Sequence, residues 1–352
     1  MKKTETKKID AVFEGGGVKG SAFVGAIQVT EDLGYSYENL AGTSAGAIVA
    51  ALLAAGFNAA ELKQTLDTVD YKKFTDETFL DRVPLIGKPL NVLLTKGLYK
   101  GDYFMGWIGE ILASRGIRKF KDLIIPEYAS DPRYRYKLQV VASDVSLDTM
   151  IVLPRDAALY GINPDELSVP LALRMSMSIP FFFRPVVITT RAGAEQFPFN
   201  PVYNQAVPQI GDKSYIVDGG MLSNFPVFIF DDGTPDPAWP TIGYKFVDTP
   251  HDSQPRQISG VISYIEALLG TAGDNLDKFY LKTDSFVRTI PIETLGISGE
   301  NFSITQAQKD QLYASGQTAA KNFFETWNFE QYKKLYRKQV PPTRTEQAWT
   351  RH

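Results

Sequence analysis

Gly42-Thr43-Ser44-Ala45-Gly46 follows the short run Tyr37-Glu38-Asn39-Leu40-Ala41 and passes directly into Ala47-Ile48-Val49-Ala50-Ala51-Leu52-Leu53-Ala54-Ala55, which stops at Gly56. A strand, then G-x-S-x-G, then a helix is the context in which this motif forms a nucleophile elbow. So tight a turn demands small flanking residues. Gly42 and Gly46 have no side chain and Ala45 only a methyl. Ser44 is thereby placed at a helix N-terminus, where free N–H groups and the helix dipole favour developing negative charge. The same five residues also fit a plain tight turn with an incidental serine, so the rest of the chain has to decide.

Working outward, Ile9 to Phe13 reads as a first strand and Glu14 to Gly20 as a glycine loop. A helix follows, with Ala22, Phe23, Ala26, Ile27 and Leu33 near helical spacing and a stop at Gly34. Strands alternating with helices predict a parallel sheet with helices on both faces. Further helices are expected from Asn58 (the N-cap, with Glu61 three residues on) to Val69, from Asp102 to about Gly116, and over 166–177, 258–281 and 305–327. Further strands are expected over 134–142, 149–153, 215–217, 241–247 and 286–292. Residues 71–100 include Phe79, Leu85 and Ile86 among prolines and a glycine; they read as a lid or channel wall, or equally as a surface excursion. No linker, repeat or low-complexity stretch divides the chain. The expected organisation is one domain: a catalytic core over 9–230, a C-terminal part over 231–340 without a recognised motif, and a mobile tail over 341–352.

Composition narrows the chemistry. The 352 residues suffice for a large core, and 44% hydrophobic with 22% charged residues is ordinary for a globular protein. A net charge of −3 gives no pull toward nucleic acid. The absence of cysteine removes disulfides, thiolate nucleophiles and cysteine metal sites. The basic start lacks the apolar run of a signal peptide, and no apolar stretch reaches the ~18 residues of a membrane span. A cytoplasmic protein, acting at membranes as a peripheral one, fits this pattern; export without a cleavable signal would look the same. There are two histidines, His251 and His352, so a Ser-His-Asp triad has one realistic candidate, His251 in a loop after a strand.

The glycine loop admits three readings. Gly15-x-Gly17-x-x-Gly20 matches a dinucleotide fingerprint, but the second strand ends in Gly42-Thr43-Ser44 rather than in the acid that would hold a ribose. A P-loop would need Gly-Lys-Ser/Thr after four intervening residues, whereas Gly20 is followed directly by Ser21; a purely structural turn also fits. The third reading is an oxyanion hole, because successive glycines at a strand-to-helix turn aim several N–H groups at one point and adjacent parallel strands would set them beside Ser44. Asp218, ending the strand Tyr215-Ile216-Val217 before Gly219-Gly220, is the candidate base. A carboxylate within hydrogen-bond reach of the Ser44 hydroxyl can take its proton. Asp218 reads equally as the cap of the turn leading to Asn224-Phe225-Pro226.

Taken in order, these segments resemble the patatin-like phospholipases. Gly15-Gly16-Gly17-Val18-Lys19-Gly20 is similar to that family's G-G-G-x-[RK]-G, and Gly42-Thr43-Ser44-Ala45-Gly46 to its G-x-S-x-G. Ser176-Met177-Ser178-Ile179-Pro180-Phe181-Phe182-Phe183-Arg184-Pro185-Val186 resembles its S-x-S-I-P-x-x-F-x-P-V segment. Asp218-Gly219-Gly220 with Asn224-Phe225-Pro226 resembles its D-G-[GA] and N-x-P. The resemblance spans roughly residues 9–230. It implies a three-layer α/β/α fold with a mainly parallel central sheet, related to the α/β-hydrolase architecture. It also implies a catalytic dyad of Ser44 as nucleophile and Asp218 as base, and an oxyanion hole from the N–H groups of Gly15, Gly16, Gly17 and Val18. Lys19, Gly20, Gly42, Gly46, Gly219 and Gly220 would support these. The implied activity is hydrolysis of fatty-acyl esters in phospholipids or lysophospholipids at a membrane surface, with no metal, no cofactor and no nucleic-acid partner. Phe181, Phe182 and Phe183 are candidate acyl-chain contacts or simply core. The competing expectations are an inactive interaction module on the same fold, and a nucleotide-binding protein using the first glycine loop.

Overall fold

A computed structural model describes residues 7–74, 96–190, 211–231, 233–247, 283–299 and 301–337. The expected helix over 258–281, His251, Phe79, Leu85, Ile86 and the tail from 341 lie outside the described residues.

The first strand β1 (Lys7–Phe13), helix α1 (Gly20–Asp32), β2 (Tyr35–Thr43) and α2 (Ala45–Ala54) form the expected unit. Next come α3 (Ala59–Asp67), with Asn58 and Glu61 forming a capping box, β3 (Gly97–Tyr99) and α4 (Asp102–Ala113). They are followed by β4 (Leu138–Asp144), β5 (Thr149–Leu153), α5 (Val169–Ser176), β6 (Phe181–Phe183) and β7 (Val186–Thr189). The chain continues through β8 (Lys213–Asp218), β9 (Thr241–Val247), a short α6 (Thr283–Val287), β10 (Thr289–Glu293) and α7 (Gln306–Thr326). Two strands start later than their residue types suggest. Tyr134 to Lys137 precede β4, and Phe286 belongs to α6, a short helix that ends just before β10 begins.

The main sheet has eight strands in the order β10-β9-β1-β2-β4-β8-β7, with β5 also pairing β4. Pairing from β10 through β9, β1 and β2 to β4 is parallel. β5 and β8 run antiparallel to β4, so the sheet is mixed, with mostly parallel strands. Alternate residues face opposite sides, as the two-residue period of a strand requires. Ile9, Ala11 and Phe13 join the main core beneath α1, α2 and α7, whereas Val12, Ala41 and Val141 face a smaller cluster closed by Ile229 and Phe230. Aromatic stacking ties β1 and α1 to β9: Phe13 lies on Tyr244 at 4.6 Å and Phe23 on Phe246 at 4.3 Å. Among the described residues no helix is long and apolar enough to cross a membrane.

One feature of the topology sets up the site. β5 pairs β4 over Val140 to Asp144, and this overlaps both the β2 pairing (Leu138 to Val141) and the β8 pairing (Ala142 to Asp144). A strand has two hydrogen-bonding flanks, so β2 and β8 share the flank that β5 does not use. They run in opposite directions along it and meet end to end, with Thr43 opposite Val141 and Asp218 opposite Ala142.

Helices α1 and α7 pack backbone to backbone. A Cβ on Gly25 would fall inside the Tyr313 carbonyl, and one on Gly316 inside the Ala22 carbonyl. Neither obstacle is a flexible side chain, so a methyl at either position forces the helices apart. Gly25→Ala is expected to cost about 2–3 kcal/mol of stability, read as a lower urea midpoint with an unchanged m-value.

Candidate active site

Ser44 holds the strained backbone that an elbow requires, with φ 52° and ψ −123°. A non-glycine residue in that region persists only when its surroundings fix it. Here the Ser44 N–H donates to Ser176 Oγ at 2.8 Å, and the Ser176 hydroxyl donates to the Val141 carbonyl at 2.6 Å. Thr43 Oγ1 donates to the Ser223 carbonyl at 3.0 Å. Gly46 allows α2 to start against the end of β1, since a Cβ there would fall inside the Phe13 carbonyl.

Asp218 ends β8 and is 7% exposed. Its N–H donates to the Ser178 carbonyl at 3.0 Å. Its two carboxyl oxygens divide the readings that the sequence left open. Oδ1 accepts from the Gly220 N–H at 2.8 Å, which is the turn-capping role, and Oδ2 is buried without a hydrogen-bond partner. Burial pushes the Asp218 pKa up to about 6, against the smaller opposing pulls of the Gly220 N–H and the adjacent Ser44 side chain. Ser44 and Asp218 thus face one another, although Ser44 completes no well-formed bond to Oδ2.

The glycine loop lies alongside. The Gly15 N–H donates to the Asn224 carbonyl at 3.0 Å, and Asn224 Nδ2 donates back to the Gly15 carbonyl at 3.1 Å. The Val18 N–H donates to the Gly299 carbonyl at 2.8 Å. The Gly15 and Val18 N–H groups are thus committed elsewhere, and among the described residues no carbonyl accepts from Gly16 or Gly17. The Ala45 N–H, in the first turn of α2, is a further donor the sequence reading did not name. Lys19 turns its ammonium over the Phe246 ring at 4.5 Å, and Gly20 opens α1. Gly219 packs on Thr43 and Val141, where β2 and β8 meet, while Gly42 lies against Gly46. Phe183 is core, Phe182 half-buried and Phe181 exposed.

Several contributors were visible only as letters in a motif. Ser176 braces Ser44, Ser178 braces Asp218, and Asn224 joins the turn after Asp218 to the glycine loop. Gly299 carried no signal at all. Among the described residues no three His, Asp or Glu side chains converge as a metal site would need.

The family profile of patatin-like phospholipases matches residues 11–231. The chain is 33% identical over 321 residues to the uncharacterized protein YqhO of Bacillus subtilis strain 168, covering 91% of this chain and 99% of that protein. Among solved structures it resembles VipD from Legionella pneumophila with a TM-score of 0.51 at 17% identity, over 92% of this chain and 67% of VipD. It also matches the ExoU–SpcU complex from the type III secretion system of Pseudomonas aeruginosa, with a TM-score of 0.44 at 19% identity, over 92% of this chain and 52% of that one.

The buried carboxylate has a stability consequence. Its folded pKa of about 6 lies above the ordinary aspartate value of 3.8, so between these values the folded state binds more protons and stability falls as pH rises. Asp218→Asn removes a charge that is costly to bury and keeps an acceptor for the Gly220 N–H. The variant is expected to be more stable than wild type by up to about 3 kcal/mol at pH 8, with the gain vanishing near pH 4. Urea unfolding at the two pH values reads this.

Proposed function

The chain belongs to the patatin-like phospholipase family, and on that premise we propose that it cleaves fatty-acyl esters of phospholipids or lysophospholipids at a membrane surface through a Ser44–Asp218 dyad. The observation that carries this reading is the pairing of a strained, elbow-borne serine with a buried carboxylate whose second oxygen has no other partner. Ionised Asp218 takes the hydroxyl proton as Ser44 Oγ attacks the ester carbonyl carbon. The carbonyl oxygen becomes an oxyanion and is received by the Gly16 and Gly17 N–H groups, with Ala45 as a third donor. Collapse breaks the ester C–O bond, and Asp218 returns the proton to the departing alcohol. Water then attacks the acyl-serine, giving its proton to Asp218, and the fatty acid leaves as Ser44 regains its hydrogen. The scheme needs neither His251 nor a metal.

Ser44→Ala and Asp218→Asn are each expected to lower kcat for fatty-acid release on the order of 10³-fold or more, and Ser44→Ala to abolish labelling by a fluorophosphonate. His251→Ala should retain activity. Hydrolysis at wild-type rates in the Asp218 variant, or equal loss in the His251 variant, would sink the dyad. Because the base works ionised, kcat/KM should climb with pH to a plateau above about pH 6. A rate that falls through this range would exclude Asp218 as the base.

A further inference from the structure

Gly15-Gly16-Gly17 has no side chains with which to hold its own shape, and glycine has the most backbone freedom to lose. Whatever fixes the loop must act at its flanks. On the N-terminal side stands Glu14, 4% exposed. Its N–H donates to the Tyr244 carbonyl at 3.0 Å. Its carboxylate is held at both oxygens: the Lys245 ammonium donates to Oε1, and the Phe246 N–H donates to Oε2 at 2.6 Å. Burial raises the Glu14 pKa, and the Lys245 charge opposes that rise. The Phe246 ring then fills the space beside Gly16 that a Cβ would take, with Lys19 over the same ring. On the other side the Val18 N–H is anchored on the Gly299 carbonyl. Gly17, at φ +57°, fits against Gly299 only because it lacks a side chain.

Lys245, Phe246 and Gly299 all lie beyond residue 231, where the family match ends. We propose that the ion pair between Glu14, just after β1, and Lys245 on β9, together with the Gly299 carbonyl, is a positioning clamp that holds the Gly16 and Gly17 N–H groups where the oxyanion forms, so that residues after 231 complete the site. This rests on the acyl-hydrolase reading above. Glu14 and Lys245 touch no reacting atom in this scheme. Their effect should therefore appear in the transition state, not in ester binding.

The test uses the full chain with p-nitrophenyl butyrate as substrate and a fluorophosphonate as a probe of oxyanion-forming attack. Glu14→Gln keeps size and an acceptor for Phe246 but removes the charge that Lys245 grips. It should lower kcat and the phosphonylation rate together, each on the order of 10- to 100-fold, with KM within about twofold of wild type. Should that variant fold poorly, the double variant Glu14→Leu/Lys245→Met leaves neither charge alone in the interior, and the same paired loss is expected of it. Folded variants that turn over and phosphonylate at wild-type rates overturn the clamp, as does a change confined to KM or to melting temperature. A wild type that neither hydrolyses the ester nor takes the label fails the hydrolase reading itself, and the clamp with it. A labelled, active wild type beside unchanged variants removes the clamp alone.

Discussion

The structure depends on two strands of opposite direction sharing one flank of β4. β2 arrives from one end and β8 from the other, and they stop at consecutive β4 residues, Val141 and Ala142. Neither strand can lengthen without displacing the other, so each must turn away at the meeting point. The turns they take are the Ser44 elbow and the Asp218-Gly219-Gly220 corner. In an all-parallel sheet two such strand ends would face one crevice because every strand points the same way. Here the ends converge because the strands oppose one another. The contact is made in the body of the sheet, which explains how Asp218 comes to be 7% exposed.

The S-x-S segment then acts as a single brace across that junction. Ser176, ending α5, accepts from the Ser44 N–H and donates to Val141, while the Ser178 carbonyl accepts from the Asp218 N–H. Two residues apart in sequence, they tie down the elbow and the carboxylate independently. Buried Arg174 in turn holds this segment, donating to Ser178 Oγ and to the carbonyls of Lys100 and Arg184. A strained φ at Ser44 and a desolvated carboxylate at Asp218 are both costly states. A short stretch of backbone cross-linked in this way is what such states need in order to persist.

How much of this could be read from the chain follows from the range of each interaction. The βαβα unit and the elbow were legible because alternation, glycine spacing and an alanine-rich helix are local signals within residues 9–56. The partners Ser44 and Asp218 were legible as motif letters. Their pairing was expected from the resemblance, but a head-on meeting of β2 and β8 was not, because the direction of β8 depends on pairings far away in sequence. For the same reason nothing near Gly15 or Val18 reveals that the Asn224 and Gly299 carbonyls accept from their N–H groups. The length of β4 was also misjudged, since Tyr134 to Lys137 have strand-like residue types but enter the sheet only at Leu138.

The scarcity of histidine acquires a physical meaning at this point. A proton acceptor serves best when its pKa lies near the working pH, and imidazole, at about 6.5, meets that condition in water. A free aspartate, at about 3.9, does not. Burial moves Asp218 to about 6, within reach of the imidazole value, with no neighbouring cation among the causes of its shift. A carboxylate made basic by desolvation alone needs no third residue to orient a tautomer, because either oxygen can carry the proton. It does need one oxygen fixed so that the other is available. The Gly220 N–H holds Oδ1 and leaves Oδ2 without a hydrogen-bond partner. If Asp218 is the base proposed above, the head-on strands and the glycine pair after it form one arrangement: topology supplies the burial, burial raises the pKa, and the turn fixes one oxygen.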